Sequence, residues 1–197
     1  MVKPSTSIAH ARAQRGATLI EVLVTLLIVA FGLFGLVGLQ ARLQSSEMES
    51  YQRSQALILL NDMASRIAIN RRMASSYVTT TALGTGVNCP TATGTRLQVD
   101  VKEWCNALQG AAETSGGNNL GAMIGGRGCV EDMGNNEYLI TVAWQGLVPT
   151  AAPPEGVSCG KDMYDATAAS PTAPAPACSS DKCRRTVTTL VRIGALS

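Results

Sequence analysis

A single acid stands at the start of a long uncharged stretch and is the first candidate for chemistry. Glu21 is followed by the run from Val22 to Leu39, which contains no charged residue. A helix of ~1.5 Å per residue makes this run about 27 Å long, close to the ~30 Å hydrocarbon core of a bilayer. An ionised carboxylate at the bilayer centre costs at least ~2.5–3.5 kcal/mol and usually has a partner. The sequence predicts a membrane span whose one acid needs a counter-charge, unless Glu21 lies at the headgroup level.

Six cysteines form the second set of reactive side chains, and all of them follow the apolar run. They are Cys89, Cys105, Cys129, Cys159, Cys178 and Cys183. An even count in an exported segment predicts up to three disulfides, although spacing alone leaves the pairing open. Cys178 and Cys183 are closest in sequence and are the favoured pair. A Cys₄ zinc site is the rival, but no C-x₂-C spacing is present, so we predict neither a metal nor a cofactor.

The remaining polar residues give little support to catalysis. His10 is the only histidine and lies ahead of the apolar run, which leaves no Ser-His or Cys-His pair beyond it. The acids that could form a carboxylate pair are Asp100, Glu103, Glu131 and Asp132. Acids at protein surfaces are far more common than catalytic pairs, so the chain is predicted not to be an enzyme.

The short segment before the run carries Lys3, Arg12 and Arg15 and no acid. The positive-inside bias keeps such a segment in the cytoplasm and predicts that the rest of the chain is exported. A secretory signal peptide also begins with positive charge, but its cleavage site follows the apolar region. In this chain the residues that resemble a cleavage signal precede it.

Residues 16–24, Gly-Ala-Thr-Leu-Ile-Glu-Val-Leu-Val, resemble the processing site of the type IV pilin family. The resemblance implies cleavage after Gly16 by prepilin peptidase and methylation of the new amine of Ala17. It also implies that Glu21 meets the N-terminal amine of a neighbouring subunit during assembly. Ala17 departs from the phenylalanine common in major pilins, which favours a minor pilin. The alternative is a simple uncleaved signal anchor.

The helical pattern continues beyond the span. Gln40 to Tyr77 contains no glycine or proline, so we predict one continuous helix from Thr18 to about Met73. The apolar stripe assigned to its second half comprises Leu43, Tyr51, Leu57, Leu60, Ala64, Ile67 and Ala68. Gly32, Gly35 and Gly38 either soften the span or allow close helix packing in lipid. The predicted segments are a leader (1–16), a span (17–39), an amphipathic helix (40–76) and a head (77–197).

The head is expected to combine a short helix with a few strands. Asp100 and Glu103 suggest a capping box for a helix over Val101 to Leu108, after a loop that reaches Thr95. Ala122 to Glu131 is a weak strand candidate and Tyr138 to Trp144 a strong one, with a turn at residues 134–136.

The end of the chain adds one more strand, from Arg184 to Ile193, after a long loop over Val148 to Ser180 that is rich in Pro, Ala, Ser and Thr. The resulting fold class is α+β: a long N-terminal helix on an antiparallel sheet of about three or four strands.

Three short sequence stretches also resemble the PilV-type minor pilins, known as type IV pilus modification proteins. These are the Arg66-x-x-x-Asn70-Arg71 helix ending, residues 126–129 and residues 142–146. The likeness implies a subunit of the initiating or tip complex, in the inner membrane with its head in the periplasm and later in the pilus. The implied partners are other minor and major pilins, a tip adhesin, prepilin peptidase and the inner-membrane assembly platform, and the implied roles are adhesion and twitching motility.

Two other kinds of protein with such an N-terminal signal are alternatives to a minor pilin. A minor pseudopilin of type II secretion shares the whole signal. A DNA-uptake pilin needs positive charge for phosphates, but loss of the three leader cations takes the net charge from +2 to −1. The local basic residues Lys182, Arg184 and Arg185 are interpreted as a solvated turn, which argues against nucleic-acid binding.

Overall fold

The computed structural model describes residues 18–111, 114–115, 118–119, 123–165 and 178–194. Contacts divide the chain into two compact units, Met1–Gln44 and Ser45–Ser197. The α+β class is confirmed: a long N-terminal helix packs through its second half on a four-stranded antiparallel sheet. The helices are α1 (Leu19–Ile69), a 3-10 helix (Arg71–Tyr77) and α2 (Arg96–Leu108).

The second half of α1 buries a stripe that confirms the predicted one only at Leu60, Ile67 and, in part, Ala64. Its fully buried residues are Gln52, Ala56, Leu60, Met63 and Ile67, at spacings of three or four. Leu43, Tyr51, Leu57 and Ala68 are exposed, so this part of the prediction is wrong. Gln52 explains the error, because it is polar yet buried, and its side-chain oxygen accepts a hydrogen bond from the backbone N–H of Ile124 at 3.3 Å. A purely apolar pattern cannot reveal such a position.

Helix α1 ends at Ile69, four residues before the predicted end. Asn70 leaves the helical region with φ −99° and ψ 41°, and the chain continues as the 3-10 helix. The side-chain amide of Asn70 donates a hydrogen bond to the hydroxyl of Tyr77 at 3.0 Å. This bond spans the 3-10 helix and fixes the change of direction at its start.

Helix α2 begins five residues before the predicted start, and the predicted capping box is wrong. Thr95 is the N-cap: its hydroxyl accepts from the N–H of Gln98 at 3.2 Å, and the Gln98 side chain accepts from the N–H of Thr95 at 3.2 Å. This is a complete capping box. Asp100 lies inside the helix and is fully buried.

The main sheet has the strand order β1-β4-β5-β6, all antiparallel. Its strands are β1 (Leu83–Gly84), β4 (Arg127–Gly134), β5 (Glu137–Gln145) and β6 (Arg184–Arg192), and β2 (Thr114–Ser115) pairs with β3 (Asn118–Asn119) separately. β5 and β6 match the predicted strands to within one residue. β4 starts later and ends later than the weak candidate, and β1 lies in a segment predicted to be a loop.

The β4–β5 turn is at the predicted place. Asn135 and Asn136 have φ angles of 53° and 59°, the left-handed conformation that a two-residue hairpin turn requires and that asparagine tolerates.

The core lies between α1, α2 and one face of the sheet. Tyr138, Ile140, Val142 and Trp144 of β5 are all buried, as their alternation predicts. Trp104 of α2 is fully buried, and its indole N–H donates to the carbonyl of Leu59 in α1 at 2.9 Å.

Candidate assembly segment

The first half of α1 presents an apolar surface that the described residues leave uncovered. Residues 19–40 are all exposed, including Phe31 at 69% and Phe34 at 75%. By length and composition, α1 is able to cross a membrane. A continuous apolar surface of this size is stable in a lipid phase or against other apolar helices, and not in water.

Glu21 lies in the first turn of α1 and is exposed. The carbonyl of Thr18 accepts hydrogen bonds from the backbone N–H groups of Glu21 and Val22, at 3.0 and 3.2 Å. No described residue pairs with the Glu21 carboxylate. The position at a helix N-terminus favours a negative charge, so the carboxylate is held at the start of the apolar surface with its bonding capacity free for an outside group.

The three glycines of the run lie within uninterrupted α-helix. A Cβ added at Gly32, Gly35 or Gly38 would have no neighbour within 4 Å. Packing inside the described chain therefore does not require glycine at these positions. Gly16 and Ala17, the predicted cleavage and methylation site, lie outside the described residues.

The C-terminal end of α1 is fixed to the head by a buried carboxylate. Asp100 accepts hydrogen bonds from Arg66 at 2.9 Å and from the hydroxyl of Tyr77 at 2.6 Å, and pairs with Arg96 at 3.0 Å. Arg66 also binds Glu103 at 2.7 Å. A fully buried acid is tolerated only with such partners. The network joins α1, the 3-10 helix and α2, and sequence reasoning missed it because its members are far apart in the chain.

The same network shifts two pKa values. Burial, together with donation to Asp100, raises the pKa of Tyr77 to about 12. Burial lowers the pKa of Arg66, but hydrogen bonds to Glu103, Asp62 and Asp100 outweigh it and hold the pKa above its usual range. The Tyr77 hydroxyl therefore stays protonated and Arg66 stays positively charged, and in these states both donate hydrogen bonds to Asp100.

All six cysteines are in disulfides: Cys89–Cys105, Cys129–Cys159 and Cys178–Cys183. The first ties the segment before α2 to that helix, and the second ties the long Pro-rich loop to β4. The third closes the short loop before β6 and is the pair favoured by spacing. With every thiol oxidised, a Cys₄ zinc site has no thiolate ligands.

Of the three basic residues interpreted as a solvated turn, Lys182 does lie exposed in a turn, but Arg184 and Arg185 begin β6 and are paired within the protein, which corrects the interpretation for these two. Arg184 is buried, pairs with Asp181 at 2.9 Å and donates to the carbonyls of Val157 and Cys159. Arg185 pairs with Glu49 at 3.4 Å. These two guanidinium groups bind the protein itself and hold the loop against the sheet.

The four acids considered for catalysis are also engaged in structure. Asp100 and Glu103 bind Arg66, Glu131 accepts from the hydroxyl of Ser158, and Asp132 accepts from the N–H of Gly134 at 2.8 Å. Asp100 and Glu103 therefore belong to one network, whereas Glu131 and Asp132 make separate contacts outside it.

The comparison with known families bears on the N-terminal segment. The family model for the prokaryotic N-terminal methylation motif matches residues 11–37, which include Gly16, Ala17, Glu21 and most of the apolar run. No curated protein and no solved structure matches the chain.

The motif indicates a type IV pilin-like or pseudopilin protein. The motif is typical of structural subunits that associate with pilus-type components and are processed by prepilin peptidase. The exposed apolar half of α1 fits membrane anchoring.

Proposed function

We propose that this chain is a minor pilin of the PilV type, a structural subunit that supports assembly of a type IV pilus. The observation that carries the proposal is the methylation motif at residues 11–37 joined to a helix half whose side chains are all exposed and, after Glu21, uncharged through Leu39. Such a surface serves a protein that is first held in lipid and later surrounded by other apolar helices.

Processing comes first in the proposed mechanism. Prepilin peptidase removes residues 1–16 and methylates the amine of Ala17. The mature subunit then spans the inner membrane once, with residues 77–197 and their disulfides in the periplasm, which is an oxidising compartment.

Assembly moves the apolar half of α1 from lipid into the fibre with the help of the inner-membrane assembly platform. Little hydrophobic free energy is lost, because the surface leaves one apolar environment for another. The Glu21 carboxylate pairs with the N-terminal amine of a neighbouring pilin, and the attraction selects the correct docking register in a low-dielectric surrounding.

The head supports the PilV-type assignment through its polar network. Arg66 and Asn70, which carry the resemblance to PilV-type helices, both bind within that network: Arg66 to Asp100 and Asn70 to Tyr77. The two residues that carry the resemblance therefore fix the end of α1 to the head. We place the subunit in the initiating or tip complex, with other pilins and a tip adhesin, where it supports adhesion and twitching motility.

The second candidate is a minor pseudopilin of type II secretion, which the motif favours equally. The two functions are separated by deleting the gene and measuring surface pili and type II secretion in parallel. The pilin proposal predicts few or no surface pili with normal secretion, restored by the intact gene. Normal pili with failed secretion would establish the pseudopilin instead.

A further inference from the structure

One edge of the main sheet is open within the described residues. β6 is the outermost strand after β5, and its nine residues pair with β5 in continuous register. An outer strand exposes a row of backbone groups that are able to pair with another strand.

The direction of these groups follows from two hydrogen bonds. The N–H of Ile193 donates to the carbonyl of Asn136 at 2.9 Å, and the N–H of Gly146 donates to the carbonyl of Cys183 at 2.8 Å. Bonded and non-bonded pairs alternate along an antiparallel ladder, so the odd-numbered residues of β6 bond to β5. The even-numbered residues Thr186, Thr188, Leu190 and Arg192 point their N–H and C=O groups away from it. None of these four has a backbone hydrogen-bond partner in the described part of the chain.

The central part of this edge, between the arginines at its two ends, lacks the features that usually prevent pairing. Residues 186–191, Thr-Val-Thr-Thr-Leu-Val, contain no charge and no proline, and the β5–β6 register shows no bulge. Natural proteins protect open edges with charges, prolines or bulges. β-Branched residues also favour strand pairing. The central part of β6 is therefore suited to accept a further strand.

A positively charged groove lies at the N-terminal end of this edge. Its volume is about 440 Å³, and its lining includes Arg53 of α1, Trp144 of β5 and Thr186 of β6. Glu49 and Arg185 also line the groove and are paired with each other at 3.4 Å, so their charges offset each other. Arg53 has no ion-pair partner among the described residues, so the groove has one cation available for an incoming acid.

We propose that the outer edge of β6 binds an extended segment of another protein as an additional strand, and that an acidic side chain of this segment pairs with Arg53. The guest strand spans about seven residues of β6 and carries uncharged, β-branched residues beside the Thr/Val run. A second copy of β6 does not fit, because that strand contains three arginines and no acid. The inference goes beyond the proposed function and holds equally for a pilus or a pseudopilus subunit.

The test places a photo-crosslinking residue on the edge in the full chain. Leu190, 44% exposed, is replaced by p-benzoylphenylalanine, the producing cells are irradiated, and adducts are mapped by mass spectrometry. We expect an adduct on an extended segment of another protein that carries Asp or Glu at the end nearest Arg53. Thr188→Pro should lower its yield about tenfold, a loss of ~1.4 kcal/mol, whereas Thr188→Ala should not. Proline removes an outward N–H and no bond to β5.

Matched variants keep the test decisive. The same crosslinking residue at Met133, which is 56% exposed on β4, gives the background yield. Arg53→Glu should lower the yield of the Leu190 adduct and Arg72→Glu should not. Both variants leave the sequence of β6 unchanged, so they test the proposal even if Thr188→Pro does not fold. Adducts on β6 of a second copy, a yield at Leu190 no higher than at Met133, or equal yields for Arg53→Glu and Arg72→Glu would each overturn the proposal. Surface pili are not counted, so the result is independent of the deletion experiment.

Discussion

Helix α1 contains two halves that share one secondary structure but differ in what covers them. Residues 19–40 are exposed on every side. From residue 45 onward, one position in three or four is buried, beginning with Gln52 and ending with Ile67. The second half is covered by the head, whereas no described residue covers the apolar surface of the first half.

The contrast shows that the formation of a helix does not depend on the burial of its side chains. Backbone hydrogen bonds form within either half, because an α-helix satisfies its own N–H and C=O groups. Side-chain burial, by contrast, is supplied by the described part of the chain in the second half only. Mutations should therefore affect folding in the second half and assembly in the first.

The largest expected effect is on a buried side chain of the second half. Leu60 is 3% exposed, and Leu60→Ala should lower the free energy of unfolding by roughly 4 kcal/mol through lost burial and a new cavity. Leu36 is 56% exposed, and Leu36→Ala should change it by less than about 0.5 kcal/mol. Urea unfolding of the full chain in detergent micelles measures both, and equal effects would contradict the comparison.

The junction between α1 and the head depends on Asp100. Asp100→Asn removes the charge that binds Arg66, Arg96 and Tyr77 and should cost about 3 kcal/mol, as expected when one partner of a buried ion pair is lost. Glu103→Gln is the matched control, because Glu103 contacts the same Arg66 but is 54% exposed. It should cost less than about 1 kcal/mol in the same unfolding assay. A larger loss for Glu103→Gln would refute the central role of Asp100.

Assembly should depend on the one acid of the first half. Under the proposed function, Glu21→Ala removes a charged hydrogen bond to the N-terminal amine of a neighbouring pilin, worth roughly 1.5–3 kcal/mol, so incorporation should fall by about tenfold or more. We expect normal leader removal but far less protein in sheared pili relative to the membrane fraction, measured by immunoblot. Glu47→Ala, an exposed acid beyond the run, should assemble normally. If Glu21→Ala enters pili at the wild-type level, the hypothesis of charge-guided docking is wrong.

The smallest expected effect is a pH dependence of the head. The pKa of Tyr77 is raised to about 12, so the folded protein keeps a proton that the unfolded chain releases near pH ~10. The resulting stabilisation is complete below about pH 10 and is lost as the pH rises to about 12, by roughly 2 kcal/mol. Tyr77→Phe should abolish this part of the slope in unfolding measurements across that range, whereas Tyr51→Phe should retain it. An unchanged slope in Tyr77→Phe would assign the effect to another group.

Strict periodicity made parts of the fold predictable. The alternation in β5 and β6 and the Asn-Asn turn before β5 are local features, and the structure places them within a residue of the prediction. The apolar run of α1 was equally clear, because eighteen successive uncharged residues form few other structures.

Other parts depend on contacts between distant residues. Gln52 is buried because a loop N–H reaches it, and Asp100 is buried because Arg66 and Tyr77 lie against it. β1 has two residues and pairs through its backbone, so no side-chain pattern reveals it. Arg184 is buried by bonds to a loop of irregular sequence. At each of these positions a tertiary partner overrides the local preference of the residue.

The hydrogen bonds at the end of α1 have a mechanical consequence. A pull along this helix reaches α2 through Arg66 and Asp100 and the 3-10 helix through Asn70 and Tyr77, in addition to the apolar contacts of the stripe. Directional bonds between charged groups resist a small displacement strongly and then break, whereas apolar contacts slide and re-form. The joint between the second half of α1 and the rest of the head is therefore stiff at low load, and a small displacement of this helix half moves α2 and the 3-10 helix with it.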